Sequence, residues 1–205
     1  MKIRNYVLAG SLGFVLAVGL AAGPRATTTD APVLSAVLAD GEYNVDAVHS
    51  ALIFKISHGV GTFFGRFNDI TGKFALDAAK PESGTLEFTI KTDSVDTNND
   101  GREKHLKGGD FFNTKQFPES TFKSTSSTKS GDGYEVKGDL TLCGVTKPIT
   151  VKITNFKTGT DERSKKATAG FEAQFTIKRS DFGITKFGGM LGEDVTIMVG
   201  VEGNR

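Results

Sequence analysis

Three histidines and one cysteine are the side chains with which this chain could perform metal or nucleophilic chemistry. His49 and His58 lie an odd number of positions apart, so an unbroken strand would point them to opposite faces. A zinc site needs three or four converging ligands, and only a bulge would bring these two histidines together. Cys143 lies in an alternating, strand-like run without a nearby histidine, so we expect a buried and inert thiol. We therefore predict neither a metal site nor a catalytic residue.

Residues 96–101, Asp-Thr-Asn-Asn-Asp-Gly, match the first half of an EF-hand calcium loop. The twelfth position of such a loop supplies a bidentate glutamate, but here that position is Lys107. Asparagine and aspartate also accept backbone N–H bonds at turns and at the first residues of helices. We therefore expect this segment to turn the chain and cap a short helix, without binding calcium.

Three arginines could interact with an anionic group. Arg66 and Arg102 follow glycines, while Arg179 continues the parity of the apolar residues before it and could point inward. An inward arginine needs an anionic partner or a dense set of acceptors. We expect an internal partner for Arg179, either Asp181 or Glu103. A ligand head group is the alternative.

The elements that must position these side chains are strands. Apolar and polar residues alternate along most of the chain after Tyr43, which predicts half-buried strands. About eight such segments are separated by turns rich in Gly, Asp, Asn and Ser, and this spacing indicates an all-β sandwich or barrel. Residues 100–112 break the alternation and predict a short helix with a loop across one end. The expected strands lie near residues 52–57, 67–76, 85–91, 122, 135–142, 149–153, 169–177 and 195–201.

The aromatic residues do not decide whether such a barrel is packed or hollow. The chain has 16 Phe, 3 Tyr and no Trp, and phenylalanine can fill a core or line an apolar cavity equally well. Small residues such as Gly138, Ala169 and Ala173 share the inward parity of the large ones. An eight-stranded barrel has room for its own side chains or for one small ligand. Both alternatives stay open from the residues alone.

The first 39 residues resemble a targeting segment. Lys2 and Arg4 precede an uncharged, apolar stretch over residues 7–22, as in a signal peptide. This stretch is glycine-rich and shorter than the ~20 apolar residues of a membrane span. We therefore expect cleavage after about Ala22 or after Ala39, rather than an uncleaved anchor. We assign residues 1–39 to a signal peptide and flexible linker and residues 40–205 to one domain, which we expect in the periplasm or, less readily, outside the cell.

Charge excludes one class of partner. The 205-residue chain carries 25 Lys and Arg against 24 Asp and Glu. Without residues 1–39 the balance is 22 basic to 23 acidic residues. A nearly neutral domain has no bulk attraction for a polyanion, so we expect no nucleic acid partner.

Six short motifs resemble, in their order along the chain, those of the YceI-like family. The resemblance as a whole runs from Tyr43 to Glu202 and so covers the whole predicted domain. One departure is Glu103, where family members often have aspartate. The motifs are Tyr43-Asn44-Val45-Asp46 with His49-Ser50, Gly65-Arg66-Phe67, Arg102-Glu103-Lys104-His105-Leu106 with Asp110-Phe111-Phe112, Phe117-Pro118 with Phe122, Gly138-Asp139-Leu140-Thr141 with Gly144, and Arg179 to Ile184.

The resemblance implies an eight-stranded antiparallel, lipocalin-like β-barrel with a lipid-filled tunnel. It also implies polyisoprenoid ligands, including isoprenoid quinones or their precursors, and fatty-acid amides in some members. We therefore expect an exported, non-enzymatic carrier that binds a long-chain isoprenoid or related lipid and needs no cofactor. We expect transient membrane contact during lipid exchange, and a homodimer is possible. The alternatives are an enzyme acting on a lipid head group at the barrel mouth and a packed barrel without ligand.

Strand parity and the resemblance together predict the residues of the tunnel. Phe111 and Phe112 should lie on the short helical segment that closes one end. Contacts to a head group are expected from His49, His58, Arg66, Arg102, His105 and Arg179. The remaining wall should be formed by Leu52, Phe54, Ile56, Phe67, Phe74, Leu86, Phe88, Ile90, Phe122, Leu140, Val151, Phe171 and Phe175.

Overall fold

A computed structural model describes residues 41–205 of the chain. The predicted signal peptide and linker lie outside these residues. No helix in the described part is long and apolar enough to cross a membrane. The strands and the helix of this part are β1 Tyr43–Val45, β2 Ala51–His58, β3 Gly61–Phe67, β4 Ile70–Ala75, β5 Thr85–Lys91, β6 Val95–Asp96, α1 Asp100–Leu106, β7 Glu119–Ser130, β8 Gly133–Leu142, β9 Val145–Thr160, β10 Ala167–Lys178 and β11 Leu191–Asn204.

Eight strands close into a ring. Strands β1, β4, β5, β7, β8, β9, β10 and β11 pair in that order. The ring closes where Asn44 and Val45 of β1 pair with Asn204 and Gly203 of β11. Every pairing between these strands is antiparallel. This arrangement confirms the predicted eight-stranded antiparallel barrel.

The wall is built differently along its height. The first part of β11, residues 191–200, pairs with β2 instead of β1, and β2 pairs with β3. On the edge of β3 that faces away from β2, only Arg66 and Phe67 pair with another strand, which is β6. In the described chain, α1 and the loop after it lie against the remaining edge of β3. The Phe112 ring packs edge-on against Phe67 at 5.3 Å, and the Arg102 guanidinium lies 4.5 Å above the Phe63 ring.

Two local predictions are wrong. The expected strand over residues 67–76 is split between β3 and β4, because the backbone N–H groups of Asn68 and Asp69 bond to Ser94 instead of continuing the sheet. Cys143 is a turn residue and not a strand residue. It has φ of 51° and precedes Gly144 with φ of 76°, and two consecutive positive φ values are typical of a tight two-residue hairpin.

One end of the barrel, called here the packed end, is filled by its own side chains. Tyr43, Phe74, Tyr134 and Phe171 meet there with aliphatic residues from β8 and β9. Phe74 is fully buried, stacking on Tyr43 at 5.5 Å and meeting Phe171 edge-on at 5.0 Å. Gly203 permits this packing, because a Cβ at that position would lie 2.7 Å from the Phe74 ring.

Candidate functional site

The other end of the barrel, called here the cavity end, encloses an internal cavity of about 670 Å³. Such a volume falls within the roughly 300–1,000 Å³ of small-molecule sites. The wall comes from nine strands, mostly through alternate residues, since every second side chain of a strand points to the same face. It includes every predicted wall residue except Phe74: Leu52, Phe54, Ile56, Phe67, Leu86, Phe88, Ile90, Phe111, Phe112, Phe122, Leu140, Val151, Phe171 and Phe175.

Phe74 was predicted on the wall but lies in the packed end. Its parity is inward, as expected, but its height along the barrel places it below the cavity floor. Phe171 belongs to both regions, because it contacts Phe74 on one side and Phe88, with ring centroids 6.3 Å apart, on the other. Phe171 therefore forms part of the floor that separates the cavity from the packed end.

Two polar side chains on the wall, Thr92 and Ser120, are hydrogen-bonded within the protein. The Thr92 hydroxyl donates to the Phe117 carbonyl at 2.7 Å, and the Ser120 hydroxyl donates to the Thr141 carbonyl at 2.8 Å. Since their donors are satisfied, these groups do not require water or a polar ligand in the cavity. The interior therefore presents a mainly apolar surface.

The helix α1 and its following loop cover the gap beside β3. The Asn99 side chain caps α1 by accepting the Arg102 backbone N–H, and the Glu103 carboxylate accepts the N–H groups of Thr97 and Asn99. These bonds hold the pKa of Glu103 below its usual value. They resemble a capping box, with the glutamate one position later than usual, so the calcium-like segment caps a helix, as predicted. The cap positions Leu106, Phe111 and Phe112 over the cavity.

Arg102 is held at the mouth. Its guanidinium donates to the Thr97 carbonyl at 2.6 Å and to the Thr97 hydroxyl at 3.1 Å while lying over the Phe63 ring. The residue is exposed yet borders the cavity. A cation in this position can contact the polar end of a ligand whose apolar part lies inside.

Two of the three histidines predicted near the mouth, His58 and His105, are found there. His58 is exposed at the end of β2 and borders the cavity. His105 packs edge-on against Phe111 and Phe187, with centroids 5.1 and 5.7 Å apart. Its Nε2 lies 3.5 Å from Asp110, which is also 3.5 Å from the Lys186 ammonium.

Arg179 points inward, but its predicted pairing with Asp181 or Glu103 is wrong. The chain leaves β10 for a short 3-10 helix at Arg179–Phe182, and the guanidinium becomes 4% exposed. In the described chain no carboxylate forms an ion pair with it. It donates instead to the carbonyls of Gly192, Ile184, Lys186 and Leu191, at 2.9, 2.8, 2.7 and 3.4 Å respectively. These acceptors occupy the guanidinium, so Arg179 positions the 184–192 loop instead of offering a free head-group contact.

His49 and Arg66 do not reach the cavity. His49 lies in the β1–β2 connection, where its Nδ1 is 2.9 Å from the Asp46 carboxylate. This contact raises the pKa of His49 and lowers that of Asp46. Arg66 is exposed on β3 and pairs in register with Asp96. The prediction for His49 failed because the chain breaks between β1 and β2, where strand parity does not apply. The outward orientation of Arg66 follows from the inward orientation of its neighbour Phe67.

Asp46, His49 and Glu202 each offer a potential ligand atom, and these atoms lie within 4.8 Å of one another. His49 and Glu202 are exposed, and the Asp46 carboxylate also accepts backbone N–H bonds from Val48 and His49. These bonds account for the local geometry without a cation. The absence of a metal site stays a prediction.

Some wall residues were missed by the sequence analysis. Four belong to β11 and follow the same parity rule that identified the others: Val195, Ile197, Val199 and Val201. Phe63 of β3 was missed because the predicted strand began too late. Phe187 and Met190 lie in an irregular loop, where no periodicity indicates which way a side chain points.

The site is suited to holding an apolar molecule. Cys143 lies near the Phe111 and Phe112 carbonyls, and burial raises the pKa of its thiol to about 11. A protonated thiol is a poor nucleophile. In residues 41–205, neither histidine at the mouth hydrogen-bonds a hydroxyl or a thiol. The geometry thus supports enclosure and binding.

Comparisons with known proteins agree with this description. A family model described as the YceI-like domain matches residues 43–203. A UPF0312 protein of Yersinia pestis is 42% identical over 170 residues, which cover 82% of this chain and 88% of the relative. The crystal structure of Burkholderia cenocepacia BcnA superposes with a TM-score of 0.70 at 26% identity, covering 77% of this chain and 98% of that one.

A more distant structure has the same fold. It is a polyisoprenoid binding domain from Saccharophagus degradans, implicated in plant cell wall breakdown. It superposes with a TM-score of 0.57 at 17% identity and covers 79% of this chain and 97% of that one.

Proposed function

This chain belongs to the YceI-like domain family, and from that premise we propose that its barrel binds one long apolar lipid, an isoprenoid or a similar chain. We further propose that it is an exported carrier of this lipid. The observation that carries the proposal is the apolar cavity of about 670 Å³ at one end of the barrel.

The size of the cavity indicates that it is not a packing defect. At about 24 cal/mol per Å³ of empty cavity, a dry void of this volume would cost on the order of 16 kcal/mol. Domains of this kind have a total stability of only about 5–15 kcal/mol. An apolar occupant removes this cost, because each buried methylene group contributes about 0.8 kcal/mol.

The polar groups at the mouth suggest how a ligand is oriented. Arg102, His58 and His105 border the opening, whereas the floor at Phe171 is apolar. A lipid with one polar end would place its apolar chain against the floor and leave the polar end at these three residues. The apolar part then provides affinity, and the mouth contributes selectivity.

The choice of an isoprenoid draws support from the polyisoprenoid binding domain of Saccharophagus degradans, which shares the fold. Export draws support from the sequence alone, through Lys2, Arg4 and the uncharged stretch that follows. A periplasmic location would place the carrier between two membranes. An insoluble lipid must be enclosed by a protein in order to cross the water between them. We favour carriage over catalysis because the wall is mainly apolar and, in residues 41–205, neither His58 nor His105 hydrogen-bonds a hydroxyl or a thiol.

The test compares an inward with an outward phenylalanine. Phe88 lines the cavity, whereas Phe64 is 54% exposed on β3 and does not line the cavity. Phe88→Gln should lower the copurified lipid at least about tenfold, because a polar amide then occupies the apolar chain's space. Phe64→Gln should leave it unchanged. The measurements are mass spectrometry of an organic extract and the melting temperature of each protein.

The fold should survive both changes, since Phe88 is only partly buried and its new amide can reach the open cavity. A wild-type extract without any long-chain species would contradict the proposed function. Full lipid occupancy in folded Phe88→Gln would show that the lipid is bound elsewhere.

A further inference from the structure

Three apolar side chains are exposed around the cavity mouth, and we call Val60, Phe187 and Met190 the apolar rim. Val60 is fully exposed at the β2–β3 hairpin tip, Met190 is 55% exposed and Phe187 is 44% exposed. Single exposed apolar residues are common on soluble proteins, but a cluster beside a cavity marks a binding surface. The rim joins two separate segments, because the Gly59 N–H donates to the Met190 carbonyl at 2.9 Å.

The backbone holds the rim outward. Phe187 has φ of 59°, a left-handed conformation that is uncommon and strained for a bulky residue. The Met190 and Leu191 N–H groups both donate to the Phe187 carbonyl, at 3.0 and 2.9 Å. Arg179 binds the same loop from inside through the carbonyls described above. The loop is therefore well anchored, and its hydrogen-bonded backbone keeps the apolar side chains exposed.

The rim is continuous with the cavity. Phe187 and Met190 line the cavity while also being exposed outside. Phe187 stacks on Phe111 with ring centroids 6.0 Å apart, and Phe111 covers the cavity from the helix side. An apolar surface thus runs from the interior to the outside of the protein.

We infer that the apolar rim docks onto the surface of a lipid bilayer, so that the ligand passes between cavity and membrane without crossing water. This inference rests on the proposed function and adds the surface through which loading and release occur. Lys186, next to Phe187 in sequence, is paired with Asp110 at 3.5 Å, and His105 lies 3.5 Å from the same carboxylate. Docking is therefore driven by apolar burial, and an uncharged bilayer suffices.

The experiment measures flotation of the protein with phosphatidylcholine vesicles. The rim variant is Val60→Asn with Met190→Gln, two changes that leave the net charge unaltered. The matched control is Val48→Asn, since Val48 is 87% exposed but lies in the β1–β2 connection, away from the mouth. All proteins are produced from the full chain and purified in the same way, so any N-terminal segment that persists is common to all of them.

We expect the rim variant to lose at least about tenfold in vesicle binding, while Val48→Asn binds as the wild type does. Binding should change little with salt. Transfer of the copurified lipid from protein to vesicles should slow in the rim variant in the same proportion. The melting temperature should not change, because both replaced side chains are exposed. The lipid content after purification should be unchanged in Val60→Asn alone, because Val60 does not line the cavity.

Equal vesicle binding by the rim variant and the wild type would overturn the inference, even where both carry lipid. The inference would also be overturned if the wild type formed a dimer, detected by light scattering, and the rim variant lost this dimer while its vesicle binding stayed unchanged. A wild-type protein without lipid would instead count against the proposed function, which separates the two failures. Should the double variant unfold, Val60→Asn and Met190→Gln are measured singly against the same criteria.

Discussion

The packed end and the cavity end of the barrel share most of their strands, yet only one of them is filled by its own side chains. At the packed end, Phe74, Tyr134 and Ile153 are at most 1% exposed. At the cavity end, side chains of the same inward parity line an opening of about 670 Å³. Residue type does not explain the difference, since phenylalanines point inward in both regions.

The difference arises from how the ring is closed. At the packed end, β1 bridges β4 and β11 directly, and Gly203 allows the Phe74 ring to approach the backbone. At the cavity end, α1 and its loop replace a strand along the edge of β3. A neighbouring strand lies about 4.8 Å away. A helix and a loop are wider than a strand, so they hold the parts of the wall on either side of them further apart. The cavity therefore arises from the way in which its own end of the barrel is closed.

The largest effect should come from a change at the packed end. Phe74→Ala should lower the free energy of unfolding by about 3–5 kcal/mol, because a large buried ring is lost where surrounding strands cannot collapse. Urea denaturation measures this change. The lipid content of the molecules that remain folded should stay that of the wild type. A loss below about 1 kcal/mol would mean that the two ends do not differ in packing.

A smaller effect is expected from the anchor of the cavity end. Arg179→Lys keeps the charge, but one ammonium cannot reach all four carbonyls that the guanidinium binds. We expect a loss of about 2–4 kcal/mol, since buried acceptors are left unpaired. Hydrogen exchange should accelerate around residues 184–191 more than in β8. Uniform acceleration would show that Arg179 supports the whole barrel and not one loop.

The smallest effect concerns His49 and Asp46, which lie outside both interiors. The Asp46 carboxylate raises the pKa of His49 above its ordinary value of 6.5. The stabilisation from His49 should be complete below pH 6.5 and be lost as the pH rises through the raised pKa. The pKa of Asp46 is lowered from 3.8, chiefly by its bond to His49, so its contribution should be present above pH 3.8 and be lost as the pH falls through the lowered pKa.

An NMR titration of the His49 ring tests this pair. Asp46→Asn should bring the pKa of His49 back toward 6.5, because the neutral amide no longer favours the charged imidazole. An unchanged titration would assign the shift to Glu202 and Asp161, which also act on His49. Lipid content should be the same in both proteins, since this pair lies away from the cavity.

Much of the site was predictable because strands alternate with a period of two. Leu86, Phe88 and Ile90 were assigned to the wall from strand parity and the family resemblance, and they do line the cavity. Parity fails where the chain leaves a strand. His49 lies in a break between strands, and Phe187 lies in a loop whose left-handed backbone has no sequence signal.

The amino-acid sequence by itself determined most of the strands, their inward faces and the short helix capped by the 96–101 segment, because these depend on near neighbours along the chain. The tertiary structure decided which inward faces meet and which leave a cavity. It placed Phe74 in the packed end and gave Arg179 four carbonyls in place of a carboxylate. The physical reason is distance: the width of the barrel is set by partners far apart in sequence, such as β1 with β11, and no local pattern records that separation.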